Sequence, residues 1–188
     1  MAGTLSVQKI QGLASSATPT TVEIASGHKI TGAAGSIVAP GNVIQVVQGT
    51  WTTQVATTST SFVATGFHQA ITPKFATSKI LVHYSVAAHN NTSGGFIITD
   101  IYRNPSSSTS AGTAISGGTA LSGQNYGLAQ SYSQTNAIVE TQSNMIFDSP
   151  NTTSSTTYLI AFRCQNSSTS YFNVNQGTGT LTLTEIAQ

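Results

Sequence analysis

Apolar and polar positions alternate along most of this chain in short runs, and the longest such run is Lys79 to His89, Lys-Ile-Leu-Val-His-Tyr-Ser-Val-Ala-Ala-His. On a pleated strand Ile80, Val82, Tyr84, Val86 and Ala88 share one face, while Leu81, His83, Ser85 and Ala87 share the other. Both faces are largely apolar, which marks a central strand. The turn-forming run Asn90 to Gly95 follows, then a second strand, Phe96 to Arg103, rich in β-branched and aromatic residues. Together they predict a long hairpin.

The rest of the chain from Asn42 onward repeats the pattern on a smaller scale. Val43 to Gln48 is a compact apolar run, Trp51, Thr53, Val55 and Thr57 alternate with other residues, and Phe62, Val63, Phe67 and Ile71 precede a break at Thr72-Pro73. Residues 105 to 125 are rich in Ser, Gly and Thr, with only Ile115 and Leu121 large, and read as mobile loops flanking short edge strands. Tyr126 to Tyr132, Ala137 to Val139 and Met145 to Phe147 read as further short strands, and a turn follows at Asp148 to Thr152. Thr157 to Gln165 is the second strong strand, with Tyr158, Ile160, Phe162 and Cys164 on one face and Leu159 and Ala161 on the other. Tyr171 to Val174 is short, and in Leu181 to Ile186 the leucines alternate with Thr182 and Thr184 as in a half-exposed strand. Roughly eight to ten strands separated by turns, with no amphipathic helical pattern, predict an all-β fold: a β-sandwich of jelly-roll type over residues 42–188.

Residues 1–41 differ. Leu5, Val7, Ile10, Leu13, Val22 and Ile24 are the apolar positions of the first half, too few and too spread out to close a core. The segment is expected to be an extended arm whose short strands add to another chain or domain, with a disordered Ser-, Thr-, Gly- and Ala-rich tail as the alternative.

Composition sharpens this picture in one respect. Charged residues make up 6% of the 188, against about 25% in ordinary globular proteins. Polarity comes instead from 25 Ser and 30 Thr. Such a surface suits a subunit that its neighbours cover. Six basic and five acidic residues are scattered without a basic run, so no footprint for nucleic acid or an anionic membrane is present. Cys164 is single and sits among apolar residues, as a buried small hydrophobe. Neither an apolar run of signal-peptide length at the start nor an 18-residue apolar span is found, which predicts synthesis in a cytoplasm and no membrane insertion.

Candidate chemistry is sparse. Glu23, Asp100, Glu140, Asp148 and Glu185 are the carboxylates, and only Asp100 lies within a strong strand, where a structural hydrogen bond or ion pair is expected of it. His28, His68, His83 and His89 have no metal-ligand spacing, so no metal site and no cofactor are expected. Nucleophile, phosphate and dinucleotide motifs are missing as well. Trp51, Tyr126, Tyr132 and Tyr171 are residue types that pack in interfaces or stack on sugars. Tyr126 and Tyr132, beside the flexible segment, are the candidate ligand contacts.

Several phrases, taken in order, resemble a family of virion proteins. They are Leu5-Ser-Val-Gln-Lys-Ile-Gln11, Val22-Glu-Ile-Ala-Ser-Gly-His-Lys-Ile30, Gly35-Ser-Ile-Val-Ala-Pro-Gly-Asn-Val-Ile-Gln-Val-Val47, Thr57-Thr-Ser-Thr-Ser-Phe62, Ile71-Thr-Pro73, Thr77-Ser-Lys-Ile-Leu-Val82 and Leu181-Thr-Leu-Thr-Glu-Ile186. The set is similar to the tail-fibre-like structural proteins of tailed bacteriophages, notably those of cyanobacteria and other aquatic bacteria, and is thinnest from 104 to 156. The resemblance implies a homotrimeric, non-enzymatic virion component, with the arm anchored to other virion proteins and the β-domain pointing outward toward a host surface glycan. Short length, without a repetitive shaft, leaves a capsid decoration (cement) protein as the alternative. A glycan-degrading enzyme would need two carboxylates about 5 to 9.5 Å apart.

Overall fold

The computed structural model describes residues 26–27, 29–32, 37–134, 138–166 and 168–188. The arm positions Leu5, Val7, Ile10, Leu13, Val22 and Ile24, and also His28, lie outside the described residues. By its internal contacts the chain divides into two units, Met1–Ala33 and Ala34–Gln188.

The second unit is built from strands. In chain order they are β1 (Val43–Trp51), β2 (Val55–Thr57), β3 (Val63–Ile71), β4 (Lys79–Asn90), β5 (Gly95–Arg103), β6 (Thr119–Ala120), β7 (Ala129–Ser133), β8 (Glu140–Asp148), β9 (Thr156–Gln165), β10 (Ser170–Phe172) and β11 (Gly179–Ile186). A single 3₁₀ turn, Val174–Gln176, is the helical element among the described residues. One sheet runs β1-β11-β4-β10-β2 with β8 on the other edge of β4, and the second runs β3-β9-β5-β6 with β7 beside β5. All pairings are antiparallel: β1 with β11, β3 with β9, β4 with β8 and β5 with β7. Early strands therefore pair with late ones in nested order, as when one long ribbon is rolled up, and this is the jelly-roll topology expected from the pattern.

The predicted hairpin of Lys79–His89 with Phe96–Arg103 is not formed. β4 and β5 belong to different sheets, and the turn at Asn91–Gly94 carries the chain from one to the other. The reason is burial. Side-by-side pairing would leave each strand's apolar face in need of cover, whereas stacking the sheets buries Ile80, Val82, Tyr84 and Val86 against Ile97, Ile101, Ile160 and Phe162. The Tyr84 hydroxyl crosses the interior to the Thr99 hydroxyl at 2.6 Å, and Thr99 donates onward to Gln142 Oε1 at 2.9 Å. Burial pushes the Tyr84 phenol up to about 12. An aromatic column completes the core, with ring centroids 4.8 Å apart for Trp51–Phe67, 5.1 Å for Phe67–Phe172 and 5.7 Å for Phe162–Phe172.

Two shorter readings also change. The expected Tyr126–Tyr132 strand begins only at Ala129 and runs on to Ser133, and Ile138 and Val139 precede β8 instead of forming a strand of their own, Ala137 lying outside the described residues. The Ser-, Gly- and Thr-rich segment is a strap, pinned at both sides of the second sheet. On the β3 side Ala64 N donates to Thr113 O (2.8 Å) and Gly112 N to Ala64 O (2.8 Å); on the β5 side Leu121 N donates to Ile101 O (2.8 Å) and Leu128 N to Thr99 O (2.8 Å). Gly127 makes the last approach, with φ +62° and so close to the strand that a Cβ would run into the Thr99 carbonyl. On this back of the sheet Ile98, Asp100, Leu159 and Ala161 are fully buried. Asp100 ties the strap down, accepting from the Ser122 hydroxyl (2.6 Å), the Ser122 amide (3.3 Å) and the Ile101 amide (2.8 Å).

Two stability outcomes follow. Phe67→Ala, at a side chain 1% exposed between Trp51 and Phe172, should cost about 3–5 kcal/mol in urea unfolding. Burial raises the Asp100 carboxyl above its ordinary 3.8 despite the hydrogen bonds from Ser122 and Ile101 that lower it. A raised folded value means that the folded state holds the proton more tightly. Stability from this group is therefore full below 3.8 and lost as the pH rises through the folded value. Asp100→Asn keeps an acceptor for both amides and should flatten that segment of the stability–pH curve; an unchanged slope would contradict the assignment.

Candidate functional site

The two outer faces of the sandwich are treated oppositely. The back of the β3-β9-β5 sheet is roofed by the chain's own strap. The back of the β1-β11-β4-β8 layer carries no such cover among the described residues. Register places Val46, Thr184, Leu81 and Phe147 in one row across this face, and Gln48, Thr182, His83 and Met145 in the next. Val46 is 58% exposed, Phe147 57% and Met145 63%. Lys79 is the charged residue of this face, at its corner opposite Ile186.

Strand β8 makes the point most sharply because it is inside out. Its inward positions are the polar Gln142, Asn144 and Asp148 around Ile146, and its outward ones include Met145 and Phe147. The inward groups are accommodated by hydrogen bonds: Gln142 accepts from Thr99, Asn144 Nδ2 donates to Leu128 O at 2.7 Å, and Asp148 accepts from Arg103 and from the Tyr158 hydroxyl, both at 2.7 Å. Burial, and then the bond to Asp148, drives the Tyr158 phenol far above its usual range. These bonds hold the polar side inside, although Gln142 Nε2 is buried without a partner among the described residues, and the apolar side is left facing out, which a free monomer avoids.

The second candidate is an open groove of about 760 Å³ on the strapped back, between the Thr60–Phe62 turn and the strap. Tyr126 is one wall, 55% exposed. Phe62 and Tyr102 meet edge to face at 5.9 Å along another. Arg163 lies 5.4 Å above the Phe62 ring and donates to the carbonyls of Asn125 (2.7 Å) and Thr60 (3.4 Å). Burial raises the Tyr102 phenol, helped by the Asp100 charge and opposed by Arg163. Tyr132, the other ligand candidate, is elsewhere. It stands on β7, 46% exposed, with its ring 4.7 Å from Phe96. The structure thus separates the two tyrosines and brings Tyr126 together with Phe62, Tyr102 and Arg163, which sequence reasoning did not single out. Their gathering depends on pairing across long separations, and no local signal marks it.

The described carboxylates each have partners of their own. Asp100 holds the strap, Asp148 pairs with Arg103, Glu140 accepts from Ser131, and buried Glu185 accepts from the Lys74 amide (2.7 Å), the Phe75 amide (3.3 Å) and the Gln45 side chain (2.6 Å). The structural hydrogen-bonding role expected of Asp100 is the observed one, although its partner is Ser122 while Arg103 binds Asp148. Among the described histidines, His68 meets Gly66 O, His83 meets Ser143 Oγ, and His89 stacks on Tyr171 at 4.8 Å with its basicity lowered by burial. Cys164 is buried and unpaired, its thiol raised by burial and bonded to Ser59 O at 3.2 Å. No group of three metal-ligating side chains occurs among the described residues, and no described helix is long and apolar enough to cross a membrane.

No protein-family model and no curated protein matches the chain. Among solved structures it is similar to the structure of infectious bursal disease virus Gx strain, at 12% identity and a TM-score of 0.43 over 84% of this chain. It is also similar to the infectious bursal disease virus VP2 subviral particle, at 15% identity and a TM-score of 0.41 over 86% of this chain. The chain spans 42% of the length of each of those two proteins.

Proposed function

We propose that this chain is a structural subunit of a virus particle, assembled as a homotrimer with the uncovered back of its β1-β11-β4-β8 layer turned toward neighbouring copies. The observation that carries the reading is the inverted β8, which turns Gln142, Asn144 and Asp148 inward and presents Met145 and Phe147. A subunit surrounded by copies of itself supplies the missing cover. The 6% charge content supports the same reading, and so does the ordered resemblance to tail-fibre-like phage proteins.

In its specific form the proposal is a short tail fibre or spike. The arm, residues 1–41, joins other virion proteins through Leu5, Val7, Ile10, Leu13, Val22 and Ile24, and the jelly roll faces the host. No catalysis is assigned, since the described carboxylates serve as structural acceptors. The competing location is the phage head, with the chain clamped there as a decoration protein.

Antibody against this chain, viewed on intact particles by electron microscopy, separates these readings. Label confined to the tail end is the expected result, label over the head makes it a decoration protein, and unlabelled particles would overturn the virion role. A chain lacking residues 1–41 should fold with unchanged far-UV circular dichroism yet fail to join particles; loss of folding would instead make the arm part of the core.

A further inference from the structure

The groove on the strapped back has a lining whose chemistry names a ligand. Arg163 is its charged residue and no carboxylate faces it. Among the described residues the guanidinium has no ion-pair partner, because the ion pair of the fold joins Arg103 to Asp148. Its orientation is nevertheless fixed, by the Phe62 ring beneath it and by the Asn125 and Thr60 carbonyls that it donates to. A cation held in place without a counter-charge is prepared for an anion, and guanidinium–carboxylate bonds are among the stronger polar contacts available.

The remaining walls restrict what carries that anion. Tyr126 is 55% exposed at the groove, and Gln124, Asn125 and Ser61 line it as neutral polar residues. An aromatic platform matches the C–H face of a pyranose, amides and hydroxyls match its hydroxyl groups, and the groove is open to solvent. We infer that the groove binds an acidic saccharide, a hexuronate-containing oligosaccharide, with Tyr126 as the stacking platform and Arg163 as the carboxylate anchor. This gives the host-attachment role its ligand class and rests on that role only for its biological use.

The test is titration of the full chain with trigalacturonic acid and, in parallel, with uncharged galactotriose, followed by saturation-transfer and amide-shift NMR. Trigalacturonate is expected to bind with a Kd of about 1 mM, and galactotriose about tenfold more weakly. Raising the salt to about 0.5 M should abolish most of that difference, because screening acts on the exposed charge pair. Tyr126→Ala, at an exposed side chain, should weaken binding about tenfold. Tyr132→Ala, on β7 outside the groove, should leave it unchanged, and Arg163→Gln should equalise the two sugars. Binding of neither sugar, equal binding of both by the unmodified chain, or binding indifferent to Tyr126→Ala would each overturn the inference. Particle labelling is independent of these results, so failure of the groove and failure of the virion role are read separately.

Discussion

Strand β4 is apolar and buried along one face from Ile80 to Ala88, while its other face mixes Leu81 and Ala87 with Lys79, His83 and Ser85 and stays partly exposed. Its inner face, Ile80, Val82, Tyr84 and Val86, meets the opposite sheet and forms the centre of the core. Its outer face, Leu81 beside Phe147 and His83 beside Met145, has no cover among the described residues. The rest of the architecture follows from this asymmetry. Strands pair in nested order because that order stacks the two apolar inner faces, and the strap crosses the one back that the described residues roof.

The two backs therefore divide the work of the molecule. Covering the β3-β9-β5 sheet in cis uses backbone bonds to Ala64, Ile101 and Thr99 and the Asp100–Ser122 contact, and it leaves a groove where strap and Thr60–Phe62 turn fail to meet. The opposite back, nearly free of charge, suits cover by another copy. A polar-inward, apolar-outward β8 would be a fault in an isolated domain, but it is consistent in one whose outside becomes an interior on assembly.

Much of this was legible from periodicity. The strong strands at 79–90 and 179–186 show alternation that matches their burial, with Leu181 and Leu183 pointing inward as their spacing requires, whereas those at 95–103 and 156–165 are buried on both faces beneath the strap. What could not be read locally was partnership. A short polar turn after Asn90 fits a hairpin and a crossing between sheets equally well, and the choice is made by distant strands β8 and β11, which occupy both edges of β4. The strap was hidden for a related reason: Ser, Gly and Thr look like a loose loop, while its order comes from backbone bonds that composition does not encode. Met145-Ile-Phe147 gave a strand signal, yet its direction was fixed by Gln142 and Asn144 turning inward to Thr99 and Leu128. The groove joins Phe62, Tyr102, Tyr126 and Arg163 from four separate segments, so only the folded chain displays it.

The most direct test of the central claim, that the bare back is an interface between copies, is the mass of the purified chain by light scattering beside that of Phe147→Asp. The account predicts three times 19.4 kDa for the unmodified chain and 19.4 kDa for the variant, with the same far-UV circular dichroism for both. An unmodified chain that stays at 19.4 kDa at every concentration, or a trimer indifferent to Phe147→Asp, would contradict it.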